Sequence, residues 1–241
     1  GEVQSADISI ICDIILGITD PQSLDPASQA AADVDGNQKY NVADLTKIQN
    51  IYLYGDPEGF KGAGFLTAKT RDGFKIGALG MDIETSRVNV NLATSLAYAA
   101  IQMDVTLPEG VVLTEAAFAG NEEAVAGINQ IADNTWRVLL YGANNASVSG
   151  NNALLNLSIA GKGEGTVTIN NVIAATAKGK AYNIAGISGD FDIATGIAAP
   201  ETETSGIAAI FGANGAIRQN LEKGLNIIKT AAGEVKKIFV K

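Results

Sequence analysis

Apolar positions along this chain change their period partway through. In residues 1–56, Ile8, Ile11, Cys12 and Ile15 recur at helical spacing, and Leu45, Ile48 and Tyr52, with Ile51 and Leu53 beside them, do so again. The spacing predicts two short amphipathic helices. Between them, Asp20-Pro21 and Asp25-Pro26 are turn and helix-start signals. From about Phe65 to Ile197 short alternating or apolar runs take over, at 88–92, 100–107, 136–141 and 154–159. Pro108-Glu109-Gly110, Asp133-Asn134, Gly142-Ala143-Asn144-Asn145, Gly150-Asn151-Asn152 and Gly161-Lys162-Gly163 separate them, the pattern of a β-sandwich. Residues 198–206, with Pro200 and Glu-Thr pairs, read as a linker. Three more candidate strands follow at 207–211, 225–230 and 235–241.

The two helical segments form a repeat. Asp7-Ile8 through Leu16 aligns with Asp44-Leu45 through Leu53 at an offset of 37 residues, so the region is a duplicated loop-helix unit. The loop before the second helix is Asp33-Val34-Asp35-Gly36-Asn37-Gln38-Lys39-Tyr40-Asn41-Val42-Ala43-Asp44. Counted from Asp33, side-chain oxygens fall at positions 1, 3, 5, 9 and 12 (Asp33, Asp35, Asn37, Asn41, Asp44), and Lys39 at position 7 offers its carbonyl. Calcium takes six to eight oxygen ligands, so one twelve-residue loop can surround it without nitrogen or sulfur. Position 6, where the turn favours glycine, is Gln38; a left-handed non-glycine residue there costs on the order of 1 kcal/mol. In the first repeat Gly1 falls at position 6, and Glu2, Gln4 and Asp7 stand at 7, 9 and 12.

Charge supports a cation as ligand. With 26 acidic against 17 basic residues, the net charge of −9 repels nucleic-acid phosphate and anionic membranes. Histidine is absent, which excludes histidine triads and the commonest transition-metal ligand. Cys12, the single cysteine, lies in an apolar run and reads as a small buried hydrophobe. No stretch reaches the roughly 18 to 20 apolar residues of a membrane span.

The form Asp-x-Asp-Gly-Asn through Asn-x-x-Asp-Leu, duplicated and with Asp at position 12, resembles the type I dockerin module of bacterial polysaccharide-degrading assemblies. That resemblance implies two calcium-bound loop-helix units that bind a cohesin module. It also implies partner contacts at loop positions 10 and 11, here Ser5, Ala6, Val42 and Ala43. Residues 88–92, 100–111 and 149–155 are similar in outline to the cohesin and carbohydrate-binding-module superfamily, a likeness of fold pattern only. Residues 215–241 are similar to short C-terminal sorting domains of Bacteroidetes surface proteins.

The expected fold class is therefore multi-domain, α plus all-β. A small helical EF-hand-like pair (1–56) precedes a β-sandwich (64–197), a linker (198–206) and a hairpin-type β appendage (207–241). The function expected is a non-catalytic calcium-binding adaptor, secreted or on a bacterial cell surface, linked to glycan-degrading or glycan-binding assemblies. Its cofactor is Ca2+ and its partner a cohesin-like protein module, in its own chain or another. The alternative is polysaccharide binding by the sandwich, for which Trp136, Tyr141, Tyr98, Tyr182 and Phe118 are the candidate aromatics. Trp136 alternates with Val138 and Leu140 and reads as core. A glycan-active enzyme would need paired carboxylates; Asp82, Glu84, Asp104, Glu109, Asp133, Asp190 and Asp192 sit in no recognisable motif and read as solvated surface acids.

Overall fold

The computed structural model describes residues 2–57, 76–120, 124–148, 153–193, 207–212, 217–218, 223–230 and 235–240. The linker expected at 198–206, the expected start of the sandwich at 64–75 and the turn at 150–152 lie outside the described residues. Contacts divide the chain into two compact units, Gly1–Ala194 and Thr195–Lys241.

Three helices open the first unit: α1 (Ser5–Leu16), α2 (Pro26–Ala32) and α3 (Val42–Tyr54). Helix α2 starts where the Asp25-Pro26 pair predicts a start. Asp25 accepts from the N–H groups of Ala27 (3.0 Å) and Ser28 (3.1 Å), and the N–H that Pro26 lacks would be unsatisfied at that position in any case. The sequence repeat appears as a repeated start and stop in α1 and α3. Asp7 accepts from Gln4 N–H at 2.7 Å and Asp44 from Asn41 N–H at 3.0 Å, the reciprocal half of a capping box in each case. Each helix ends on a left-handed glycine, Gly17 (φ 74°) and Gly55 (φ 70°).

Ten strands follow among the described residues of this unit: β1 (Ala78–Glu84), β2 (Arg87–Ala93), β3 (Tyr98–Thr106), β4 (Val111–Phe118), β5 (Ala124–Ala132), β6 (Thr135–Gly142), β7 (Ala153–Gly161), β8 (Gly163–Thr176), β9 (Ala181–Ile184) and β10 (Ile187–Ile193). They form two antiparallel sheets, ordered β1-β2-β7-β4 and β10-β8-β3-β6-β5, with β9 also on β8. Inward residues of both sheets make one core, including Val88, Val90, Leu155 and Leu157 from the smaller sheet and Ile101, Met103, Trp136, Val138 and Leu140 from the larger. This is a β-sandwich, and Trp136 lies in its core as its alternation predicts.

The outward face of the larger sheet is covered too. Ala100 on β3, Leu139 on β6 and Ala175 on β8 join Ile11, Cys12, Ile15, Val42, Ala43, Leu45 and Ile48 in a second apolar cluster. Strand β3 is consequently buried on both faces from Tyr98 to Val105. Packing thus joins residues 2–57 to the larger sheet.

In the second unit, β11 (Ile207–Gly212), β12 (Ile217–Arg218), β13 (Gly224–Thr230) and β14 (Val235–Val240) form an antiparallel sheet ordered β12-β11-β13-β14. Among the described residues it has four strands, where the pattern suggested three in a hairpin-type appendage; the short β12 is the addition.

Candidate metal centre

The loop at 33–44 is folded by its own side chains. Asp33 ends α2 and accepts from Asn37 N–H (3.0 Å) and Gln38 N–H (2.8 Å). Asp35 accepts from Asn37 N–H (3.1 Å), and Asn37 from Lys39 N–H (2.8 Å). These Asx-type turns coil the backbone around the carboxylates. Two residues are left-handed, Gly36 (φ 71°) and Gln38 (φ 62°), so the strain expected at position 6 is present.

Asp44 closes the loop from the first turn of α3. It is 0% exposed and accepts from Asn41 N–H and, at 3.4 Å, from Asp35 N–H. One carboxylate oxygen from each of Asp33, Asp35 and Asp44 lies within 4.8 Å of the others. Burial pushes the Asp44 carboxyl up to about 6, and the neighbouring charges of Asp35 and Asp33 add to the rise. A converging, all-oxygen set that resists holding its own negative charge suits a hard divalent cation. Of the six predicted ligands the fold thus brings three acids together. Asn37 builds the turn, and Lys39 presents its carbonyl to the Asn41 amide at 3.4 Å. Asn41 uses its side-chain oxygen to cap α3 through Ala43 N–H at 2.9 Å.

The four residues at loop positions 10 and 11 part company. Ser5 and Ala6 are exposed, whereas Val42 and Ala43 are buried against the larger sheet of the same chain. Val42 N–H donates to Gln102 Oε1 on β3 at 3.1 Å.

Gln102 belongs to a set of polar groups on the sandwich that sequence reasoning missed. Arg137 on β6 grips Asp104 through Nε and Nη2, and its Nη1 donates to the Ile15 carbonyl at 3.1 Å. Asn129 on β5 donates to the Leu16 carbonyl at 3.0 Å, so two side chains of the sheet cap the C-terminus of α1. Asn171, left-handed at a bulge in β8 (φ 49°), donates to Asp104 at 2.7 Å. Asn145 reaches the Thr46 carbonyl (2.9 Å), and Gln49 the Gly142 carbonyl (3.2 Å). Asp104, expected as a solvated surface acid, is 4% exposed and ion-paired, because the helices cover it. Its signal was the polar pair Gln102 and Asp104 in an apolar strand; the pairing with Arg137 needs the strand register.

Cys12 is 9% exposed at this same contact, beside Tyr141, and burial pushes its thiol up to about 11. Among the described residues the sandwich's candidate aromatics are buried or half-buried: Tyr98 and Trp136 fully, Tyr141, Tyr182 and Phe118 in part. No described helix is long and apolar enough to cross a membrane.

No family model matches the chain, and no curated protein matches it. Among solved structures it is similar to a cohesin module from a Clostridium perfringens family 33 glycoside hydrolase, at 12% identity and TM-score 0.41, over 48% of this chain and 95% of that one. It is also similar to a non-cellulosomal cohesin from the archaeon Archaeoglobus fulgidus, at 15% identity and TM-score 0.37, over 44% of this chain and 77% of that one.

Proposed function

We propose that residues 33–44 bind one calcium ion and that the chain is a non-catalytic interaction module working outside the cell, in assemblies that degrade or bind polysaccharide. The observation that carries the calcium reading is the convergence of Asp33, Asp35 and Asp44, with Asp44 fully buried. Calcium would complete its shell from Asn37, the Lys39 carbonyl, Asn41 and water. Extracellular calcium modules work at affinities of roughly 10⁻⁴ to 10⁻³ M, a range that tolerates the strain at Gln38. The protein-module partner rests on the dockerin-like loop pattern and on the helix-receiving face of the sandwich.

Calorimetric titration of the chelator-stripped protein with calcium tests this reading, together with thermal unfolding in calcium and in chelator. One binding event is expected, stabilising by about 2.7 kcal/mol at a hundredfold excess over Kd. Both effects vanish in an Asp33→Ala, Asp44→Ala double variant. Absence of heat and of stabilisation in the unaltered chain would reduce the loop to a polar turn.

A further inference from the structure

Among the described residues the two sheets of the sandwich end in four edges, and an edge strand presents unpaired N–H and C=O groups that can receive another strand. Three of these edges carry acids: Asp82 and Glu84 on β1, Glu115 on β4, and Asp190 and Asp192 on β10, which shares its edge with the short β9. Like charges set opposite one another discourage pairing between copies. The fourth edge, β5, runs from Ala124 to Ala132 without a charged residue. It pairs with β6 on one side, and among the described residues no backbone hydrogen bond reaches its other side. None of its nine residues is buried, and its exposed large apolar side chains are Val125 (45%) and Ile131 (38%). Both stand on the helix-bearing face. Val125 pairs with Tyr141, which packs in the cluster under the helices, and Ile131 lies against Gly17 at the end of α1.

The order of residues makes β5 complementary to itself. In an antiparallel pair centred on Ile128, Val125 of one strand faces Ile131 of the other, Ala126 faces Gln130, and Ala124 faces Ala132. The two exposed apolar residues then meet across the pair, twice by symmetry, and no charge opposes another within it. From Ala124 to Gln130 the strand keeps one register with β6, and it bulges at Ile131, so the middle of such a pair is regular. A chain of net charge −9 repels its own copies, and a neutral edge is where that repulsion is least. We propose that β5 is an interaction surface for β5 of a second copy of this chain, the two strands pairing antiparallel about a two-fold axis so that the larger sheets of both sandwiches become continuous. One strand pair is small for an interface, so the association is weak and emerges at high protein concentration. Acids flank the strand in sequence, Glu122 and Glu123 before it and Asp133 after it, so added salt favours the pair.

Sedimentation equilibrium of the full chain over a concentration series, in calcium and in chelator, tests the proposal. A monomer–dimer equilibrium is expected, shifted toward dimer by salt. Val125→Lys alone and Ile131→Glu alone each put a charge on the edge and should raise the dimer Kd roughly tenfold or more. Melting temperature and Trp136 emission should stay unchanged, since both positions are exposed. The Val125→Lys, Ile131→Glu double variant sets lysine opposite glutamate at both ends of the pair and should return Kd to within a few-fold of the unaltered chain. Monomer at every concentration up to about 1 mM would overturn the proposal. A dimer that either single variant leaves intact would overturn it too, by placing the contact on another surface, and a double variant that restores nothing would overturn this register. The dimer is expected in chelator as in calcium, so failure of the calcium reading would show separately, in the calorimeter.

Discussion

In the first loop-helix unit the helix is gripped at its C-terminus, where Arg137 and Asn129 reach the Ile15 and Leu16 carbonyls. In the second it is held at its N-terminus, where Gln102 accepts from Val42 N–H, and further along through Thr46, Gln49 and Asn50. The local code is the same in both: an acid three residues on accepts from the residue before the helix, and a left-handed glycine ends it. Environment separates them. Ser5 and Ala6 remain in solvent, while Val42, Ala43 and Asp44 are buried. In the second unit a closed acidic loop leads into a helix start pressed on the sheet. Duplication gave two copies of one element, and docking on one face holds the first at its C-terminus and the second from its N-terminus onward.

The largest effect should come from the grip on the first unit. Arg137→Ala leaves Asp104 buried without its cation and should cost about 3–5 kcal/mol in urea unfolding. Replacing the pair by Arg137→Met with Asp104→Leu should recover most of that loss. Next is Asp44→Asn, which keeps the shape and removes the charge. It should abolish the calcium-dependent gain of about 2.7 kcal/mol at a hundredfold excess, whereas Asp7→Asn, at the same position of the first unit, should leave that gain intact in the same thermal melts.

Asp44 also sets a pH dependence. Its carboxyl is raised in the fold from 3.8 to about 6, so the folded state holds a proton that the unfolded state has lost between those values. Stability of the calcium-free protein is then greatest below about 3.8 as far as this group is concerned, and falls as pH rises through about 6, by on the order of 2 kcal/mol. Calcium should flatten that slope, and its affinity should drop as pH falls below about 6, both measurable by melts and titrations across pH. The smallest effect is expected from Gln38→Gly. Relief of the left-handed strain should stabilise the calcium-bound loop by about 0.5–1 kcal/mol and tighten calcium a few-fold by calorimetry.

Much of the fold was legible because it is written in short periods. The helical spacing of Ile8, Ile11 and Ile15, the Asp25-Pro26 start, and the alternation of Trp136, Val138 and Leu140 each report a local preference that the structure keeps. The acidic loop was legible for the same reason: its spacing lies within twelve consecutive residues, and its turns are made by its own side chains. Reading Asp104 as a surface acid failed on a different scale. Alternation places Gln102 and Asp104 on the outward face of β3, and outward ordinarily means solvent.

The sequence alone marked the helices α1 and α3, the start of α2, the strands at 88–92, 100–107, 136–141 and 154–159, the repeat, and the spacing of oxygens through residues 33–44, because those properties depend on neighbours along the chain. Tertiary structure decided that outward on β3 means buried, that Arg137 meets both Asp104 and the end of α1, and that Val42 and Ala43 face the chain's own sandwich. These contacts join residues 33 to 122 positions apart. Such pairings follow from sheet register and from the covering of one sheet face by helices, and no local pattern encodes which surface a helix will cover.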